Sequence, residues 1–374
     1  MTLAERLGTA GRAGNFDLVR LAAASAVVLS HSFELTGLYW REPLRLLTGD
    51  PSRSTGRLAV EVFFVLSGFL IARSWEQSPA AAAFFRNRVL RIWPALILAV
   101  TLTVLVIGPA FTTLPIGDYF GRGRTWKYFA NLLLYPQRPA LPGVFADGSV
   151  HVSADLWGVN VPLWTLPIEF TMYLAVAAAG TLGLLRRAYL AAIAAVALTC
   201  LYVFGLTWDG VWGWKVLGLH VKATVGFAAY FAAGAALYRH RAEVPHSAVL
   251  AVAAAGLWVL SLRHPLHDLA AVAAVPYLTL WLALADAPVL RGFGRWGDFS
   301  YGLYVLTFPM QRALVETWHR HLGRPPEWWE LFAASMAVAL PAAAASWHLV
   351  EKPALRFKSR PAPAPEPQPA PPPG

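Results

Sequence analysis

Apolar runs long enough to cross a bilayer recur along this chain, broken by short polar stretches. A spanning helix needs about 20 predominantly apolar residues. The first run, FDLVRLAAASAVVLSHSFEL, occupies residues 16–35. Others follow at about 58–75, 90–111, 162–185, 189–206, 220–238, 247–262, 266–284, 299–318 and 329–350, ten in all. Residues 80–89 read as an interfacial lead into the third span. The segment WKYFANLLLY, residues 126–135, is too short to cross and reads as interfacial or re-entrant. The short alternating segments of a membrane β-barrel are absent. The pattern therefore predicts an all-α polytopic membrane bundle of about ten transmembrane helices.

Basic residues set the expected orientation. With the N-terminus inside, the inner segments carry Arg73, Arg86 and Arg88, then Arg186 and Arg187, Arg239 and Arg241, Arg291 and Arg295, and finally Lys352, Arg356, Lys358 and Arg360. The short outer loops carry only Lys215, Arg263, Arg320 and Arg324. Counting 126–135 as a span would place Arg186 and Arg187 outside. Both termini are thus expected in the cytoplasm. Residues 1–15 form a cytoplasmic segment, 16–356 the membrane domain, and 357–374 a disordered Pro-rich tail. Arg6 and Arg12 before the first run superficially suit a signal peptide. Asp17, Arg20 and the length of the run mark a retained helix instead.

Composition narrows the class. The chain of 374 residues is 57% hydrophobic and 14% charged, where a soluble domain carries about a quarter charged residues. The net charge of +10 is scattered through loops, which points to anionic headgroups and a cytoplasmic face and not to nucleic acid. Cys200 is the single cysteine, so a disulfide within the chain is excluded and no cysteine-based metal site is expected.

Polar groups inside the apolar runs are the candidate chemistry. Arg20 and His31 are eleven residues apart, three turns plus about 20°, so they leave the first helix on nearly one face. They lie about 16 Å apart along its axis. Arg20 falls toward the inner face and His31 in the outer half. Snorkelling to headgroups would explain Arg20 alone, and a satisfied helix contact would explain His31 alone. Arg88 and Arg91 share one side of a helix start at the inner face, where two guanidiniums can hold phosphates or simply anchor the helix. Glu169 lies about two turns into a span that begins outside, at the depth of His31. A carboxylate can orient an imidazole and raise its basicity, although a structural ion pair is the plainer alternative. Glu61 is expected to pair with Arg20 or Arg57, Ser67-Gly68 to allow close helix packing, and Glu351 to end the last helix at the inner surface.

Taken together and in order, these motifs resemble the acyltransferase 3 family of bacterial integral-membrane O-acyltransferases. The family's Arg, ten residues, His pattern is similar to Arg20 to His31. Its second block resembles VEVFFVLSGFLI, with Glu61 in place of the usual Asp. The Arg-x-x-Arg block matches Arg88 to Arg91 before Ile92-Trp93-Pro94, and LWTLPIE ends on Glu169. SYGLY at 300–304 and Glu351-Lys352-Pro353 complete the series. Two features depart: Thr307 stands where relatives often have His, and no hydrolase-like domain is expected beyond the membrane domain.

The resemblance implies acyl-CoA, most simply acetyl-CoA, as donor and co-substrate, without a metal. It implies a sugar hydroxyl or lipid-linked glycan as acceptor, and the bacterial inner membrane as location. The expected roles are donor binding by Arg88 and Arg91 and charge stabilisation by Arg20. His31, oriented by Glu169, would act as general base or transient acyl carrier. Acceptor contacts are expected in 37–55 and 112–161. A sugar or lipid transporter or flippase could use the same intramembrane groups, and an assembly scaffold would need none of them.

Overall fold

A computed structural model describes residues 1–9, 15–135, 137–146, 158–205, 214–216, 218–286 and 296–358. Arg12, Arg291, Arg295, Arg360 and the Pro-rich stretch from 359 onward lie outside the described residues.

The chain starts with α1 (Leu3–Thr9), α2 (Phe16–Leu35), α3 (Pro43–Thr48) and α4 (Thr55–Gln77). The next helix, α5 (Ala81–Leu102), runs through a π turn at Thr103–Ile107 into α6 (Gly108–Phe111). Interfacial 80–89 is thus the first part of one continuous 31-residue helix, Ala81–Phe111. Short α7 (Ile116–Gly121) and α8 (Gly123–Lys127) precede a 3-10 turn at Tyr128–Leu133, so 126–135 forms no spanning helix. Then come α9 (Thr165–Thr181), α10 (Ala188–Phe204), the two-residue strands β1 (Lys215–Val216) and β2 (Leu219–His220), and α11 (Val221–Arg239). The chain continues with α12 (Ala248–Ser261), α13 (His267–Ala283), α14 (Ser300–Leu322) and α15 (Trp328–Ser346). A second π turn at Trp347–Glu351 joins α15 to α16 (Lys352–Leu355).

Among the described residues six helices are long and apolar enough to cross a membrane: Phe16–Leu35, Thr55–Gln77, Ala81–Phe111, Val161–Thr181, Val221–Arg239 and Trp328–Leu355. The expected spans at α10, α12 and α13 are shorter apolar helices. The expected span at α14 has 23 residues but carries Gln311, Arg312, Glu316 and a basic last turn, which lower its apolar character.

Helix ends follow local chemistry. Ser54 accepts from the Arg57 N–H at 3.0 Å and starts α4. Glu327 and Glu330 close a capping box at the start of α15. Gly323, at φ 64°, ends α14 in the left-handed conformation.

The core is built on backbone proximity between α4 and α11. A Cβ on Gly68 would stand 1.9 Å from the Phe231 carbonyl oxygen. One on Gly234 would stand 2.2 Å from that of Val65. Without a hydrophobic force between helices in lipid, such small-residue contacts supply the packing. Phe64 stacks on Phe227 across the same interface, centroids 4.8 Å apart. Ser67-Gly68 thus serves close packing, as the sequence suggests for it, through the glycine.

The two ends of the bundle collect different segments. At one end Arg239 and Arg241 both pair with Glu76 at 2.9 Å, and the Leu3 and Ala4 N–H groups bind the Val244 and Arg241 carbonyls. At the other, Arg53 donates to the Leu262 carbonyl at 3.2 Å and Arg263 to that of Leu47 at 2.9 Å. Glu61 pairs with Arg57, one of its two expected partners, at 3.0 Å.

Glu351 departs from expectation. It is buried, 2% exposed, and does not end the helix at the surface. The π turn inserts a residue, rotates Glu351 inward, and the helix continues to Leu355. Its Oε1 accepts from Ser346 at 2.9 Å.

Gly68→Ala and Gly234→Ala should each lower stability by about 1–3 kcal/mol, since overpacking must push two backbones apart. Gly256→Ala, where an added Cβ meets nothing within 4 Å, should be neutral or mildly stabilising. Thermal unfolding of the detergent-purified chain, followed by size-exclusion fluorescence, measures the difference.

Candidate active site

Asp298 lies two residues before Ser300, where α14 begins. Its Oδ1 accepts from the Ser300 N–H at 3.2 Å and from the Ser300 hydroxyl. Its Oδ2 accepts from Arg20 Nη1 at 3.1 Å and from Arg91 Nη2. Burial alone would raise this carboxyl. The Arg91 and Arg20 charges and the Ser300 bonds overrule it and hold the carboxyl at about 2. Arg20 also lies 3.5 Å from Asp17, and Arg91 lies 3.9 Å from Glu351. Arg91, expected beside Arg88 at the donor, thus lines the cavity already engaged in ion pairs. Loop charge reveals the sign of an arginine but not its counter-ion.

Arg20, Arg88 and Arg91 line one cavity with about 830 Å³ of unfilled space, its mouth included. Its apolar wall comes from α4 (Val60, Phe63, Phe64, Leu70, Ile71), and its polar wall from Ser67, Thr165, Glu169, Tyr173, Tyr301 and Tyr304. Among the described residues Arg88 has no carboxylate within ion-pairing distance, and its Nε is buried without a hydrogen-bond partner. Its guanidinium lies 5.8 Å over the Tyr173 ring and 5.7 Å over that of Phe84. Lys358 lies just past α16 at this end. Its surface is exposed, yet desolvation by the neighbouring chain, and then Arg88, Arg91 and Arg20, push its ammonium down to about 8.

Glu169 faces this cavity and not His31. Its Oε1 accepts from Ser67 Oγ at 2.8 Å and from the Tyr173 hydroxyl, and the two hydroxyls lie 3.3 Å apart. Tyr173 is four residues on in the same helix, hence on the same face. His31 pairs instead with Glu34, three residues on: Nδ1 donates to Oε2 at 2.6 Å. Equal depth in the membrane does not bring two side chains together when their helices face different neighbours.

His31 is not among the residues lining the cavity. Its ring meets the edge of Phe308, centroids 4.9 Å apart. Phe308 is one turn along α14 from Tyr304, which packs edge-on against Phe63 at 5.8 Å. The histidine therefore touches a residue one helical turn along α14 from Tyr304, which lines the cavity. The Tyr304 hydroxyl bonds Thr165 at 2.7 Å. Thr307 is buried and its hydroxyl donates to the Leu303 carbonyl within its own helix, so it takes over no histidine role. Among the described residues no group of His, Cys, Asp and Glu side chains could hold a metal.

Asp298, Tyr173, Arg45 and Glu34 are not among the residues that the sequence singles out. The i,i+3 spacing from His31 and the i,i+4 spacing from Glu169 were legible signals. Asp298 had one too, an acid two residues before a helix-initiating serine.

The fold and site define a multi-pass membrane protein with a cationic internal cavity and a histidine beyond its end. Residues 14–347 match the family model of the acyltransferase 3 group, an acyltransferase domain, and the chain belongs to that family. It is an acyltransferase. An O-acetyl transferase of Shigella phage Sf6 is 28% identical over 348 residues, covering 92% of this chain and 96% of the relative. Nodulation protein 10 of Rhizobium leguminosarum bv. viciae is 28% identical, covering 94% and 95%. The acyltransferase MdmB of Streptomyces mycarofaciens is 28% identical, covering 82% of each. No solved structure matches the chain. Family membership decides for transfer over the transport and scaffold readings.

Asp298→Ala would leave Arg20 and Arg91 enclosed together without their shared carboxylate. A loss of about 3–5 kcal/mol is expected, against much less for Asp286→Ala, whose side chain is 42% exposed opposite Arg6. Melting temperatures of the two purified variants test this.

Proposed function

We propose that the protein moves an acyl group, most simply acetyl, from a cytoplasmic acyl-CoA to a hydroxyl of a carbohydrate or lipid-linked glycan. The observation that carries this is the cavity, which joins an arginine wall, an apolar wall and a hydroxyl–carboxylate wall in one space. The arginine wall suits a phosphorylated donor, the apolar wall its thioester arm. Arg88, without a carboxylate partner, is the guanidinium available to the donor. Arg20 and Arg91, joined through Asp298, set the field and hold the helices. Ser67 and Tyr173, bonded to Glu169, form the polar surface against which the thioester lies.

His31, reached past the aromatic end of the cavity beside Phe308, acts as general base. It takes the proton of the acceptor hydroxyl as that oxygen attacks the thioester carbonyl. The carbon–sulfur bond breaks, an ester forms, and the coenzyme leaves as a thiolate that takes up the proton. Excluding water from such a site protects the thioester from hydrolysis. In this reading ten helices span a bacterial cytoplasmic membrane with both termini inside. Residues 16–356 form the membrane domain, and the acceptor arrives from outside.

Transfer of label from radioactive acetyl-CoA to host glycan or lipid tests the proposal. His31→Ala should lose about 10²–10⁴-fold in kcat, and Glu169→Ala should also lose most activity. Arg88→Ala should raise the donor KM about 10-fold or more, the worth of one charged hydrogen bond. Full transfer by His31→Ala protein would overturn the mechanism.

A further inference from the structure

The connection between α2 and α4, residues 37–55, is where acceptor contacts were expected, and its polar groups turn inward instead. Glu42 is fully buried. Its Oε2 accepts from the Leu44 and Arg45 N–H groups at 3.1 and 3.0 Å, and its Oε1 from the Thr55 N–H at 2.7 Å and the Thr55 hydroxyl. One carboxylate thus caps α3 and pins it to the first residue of α4. Gly49, at φ 71°, closes α3 in the left-handed conformation and binds the Arg45 carbonyl.

All of this fixes Arg45, which is only 6% exposed. Its guanidinium lies 3.6 Å over the Tyr39 ring, and its Nε donates to the Pro51 carbonyl at 3.0 Å. Its Nη2 donates to Glu34 Oε1 at 2.6 Å, while Glu34 Oε2 receives His31 Nδ1 at the same distance. A carboxylate held by a guanidinium accepts hydrogen bonds and donates none. Nδ1 must then carry the proton, which leaves Nε2 as the basic nitrogen.

We infer that the 37–55 connection is a positioning element of the catalytic centre, in which Arg45 fixes Glu34 and Glu34 fixes the tautomer and direction of His31. The inference rests on the reading of His31 as general base. Glu34 and Arg45 are positioning residues, acting only through the histidine. A plain folding role for the same ion pair makes a different prediction, a loss of folded protein with kcat per folded molecule unchanged.

The experiment compares Glu34→Ala, Glu34→Gln, Arg45→Met and the double variant Glu34→Ala/Arg45→Met with His31→Ala. The full chain in native membranes is assayed by CoA thiol release from acetyl-CoA, normalised to folded protein by size-exclusion fluorescence. Glu34→Ala should lose about 10²-fold in kcat with the donor KM within about twofold. Glu34→Gln should recover part of the loss, since its amide oxygen still accepts from Nδ1. Arg45→Met should lose about 10-fold, and the double variant should be no worse than Glu34→Ala, because Arg45 has no other route. Unchanged kcat in either single variant, losses that multiply in the double, or equal loss in Gln and Ala would overturn the inference. Should Arg45→Met fail to fold, the Gln–Ala comparison still decides. Full activity of His31→Ala sinks the assignment of the base itself. An inactive His31→Ala beside a fully active Glu34→Ala sinks only the positioning.

Discussion

Two guanidiniums on one buried carboxylate is the contact on which the rest of the site depends. An unpaired charge among apolar helices is expensive, and removing one partner of a buried pair costs more than the pair itself contributes. Arg20 belongs to α2, Arg91 to α5, and Asp298 precedes α14, so one carboxylate ties three separate parts of the chain. Glu351, turned inward by the π turn after α15, brings a fourth part against Arg91. Asp17 stands beside Arg20 as well, while Glu169, which lines the cavity, is bonded to Ser67 and Tyr173, so Arg88 is left outside the ion-pair cluster.

The second polar set sits at the other end of α2 and is built differently. Around Asp298 the arginines converge from separate helices, whereas His31, Glu34 and Arg45 come from one helix and the connection that follows it. Between the two sets lie Phe63, Tyr304 and Phe308. This division suits a reaction in which donor and acceptor approach from opposite sides.

Much of this was legible in the sequence because the membrane imposes periodicity. The apolar runs located the main helices, and the eleven-residue separation of Arg20 and His31 gave their shared face. Ser67-Gly68 announced close packing through the small residue itself. Depth and loop charge do not fix which side chains meet. Glu169 and His31 were matched by level, but level is one coordinate, and azimuth depends on which helices pack. Glu169 found Ser67 because α4 and α9 touch, and the real partner of His31 was the acid three residues along its own helix. Arg91 was read from its sign, and sign does not disclose that an aspartate more than two hundred residues later will claim it. Arg45 was invisible in another way, since only the folded turn held by Glu42 carries it from a polar connection to a buried carboxylate.

One helix connects what the sequence could not. Ser300, Tyr304, Phe308 and Gln311 recur at three- and four-residue steps on α14, forming a stripe along one face. Ser300 binds Asp298, Tyr304 closes the cavity against Phe63, Phe308 meets His31, and Gln311 Nε2 donates to the Ser32 hydroxyl and the Val28 carbonyl at 3.0 Å. The stripe follows α2 from the level of Arg20 to that of His31. A shift of α14 along α2 would therefore move the arginine clamp, the aromatic partition and the histidine together. The separation of Arg20 from His31 is set within α2 alone, but α14 determines what stands opposite each of them. That is the physical reason for the serine and the tyrosine of the 300–304 motif and for an aromatic ring one turn beyond it: together they form one edge laid against another.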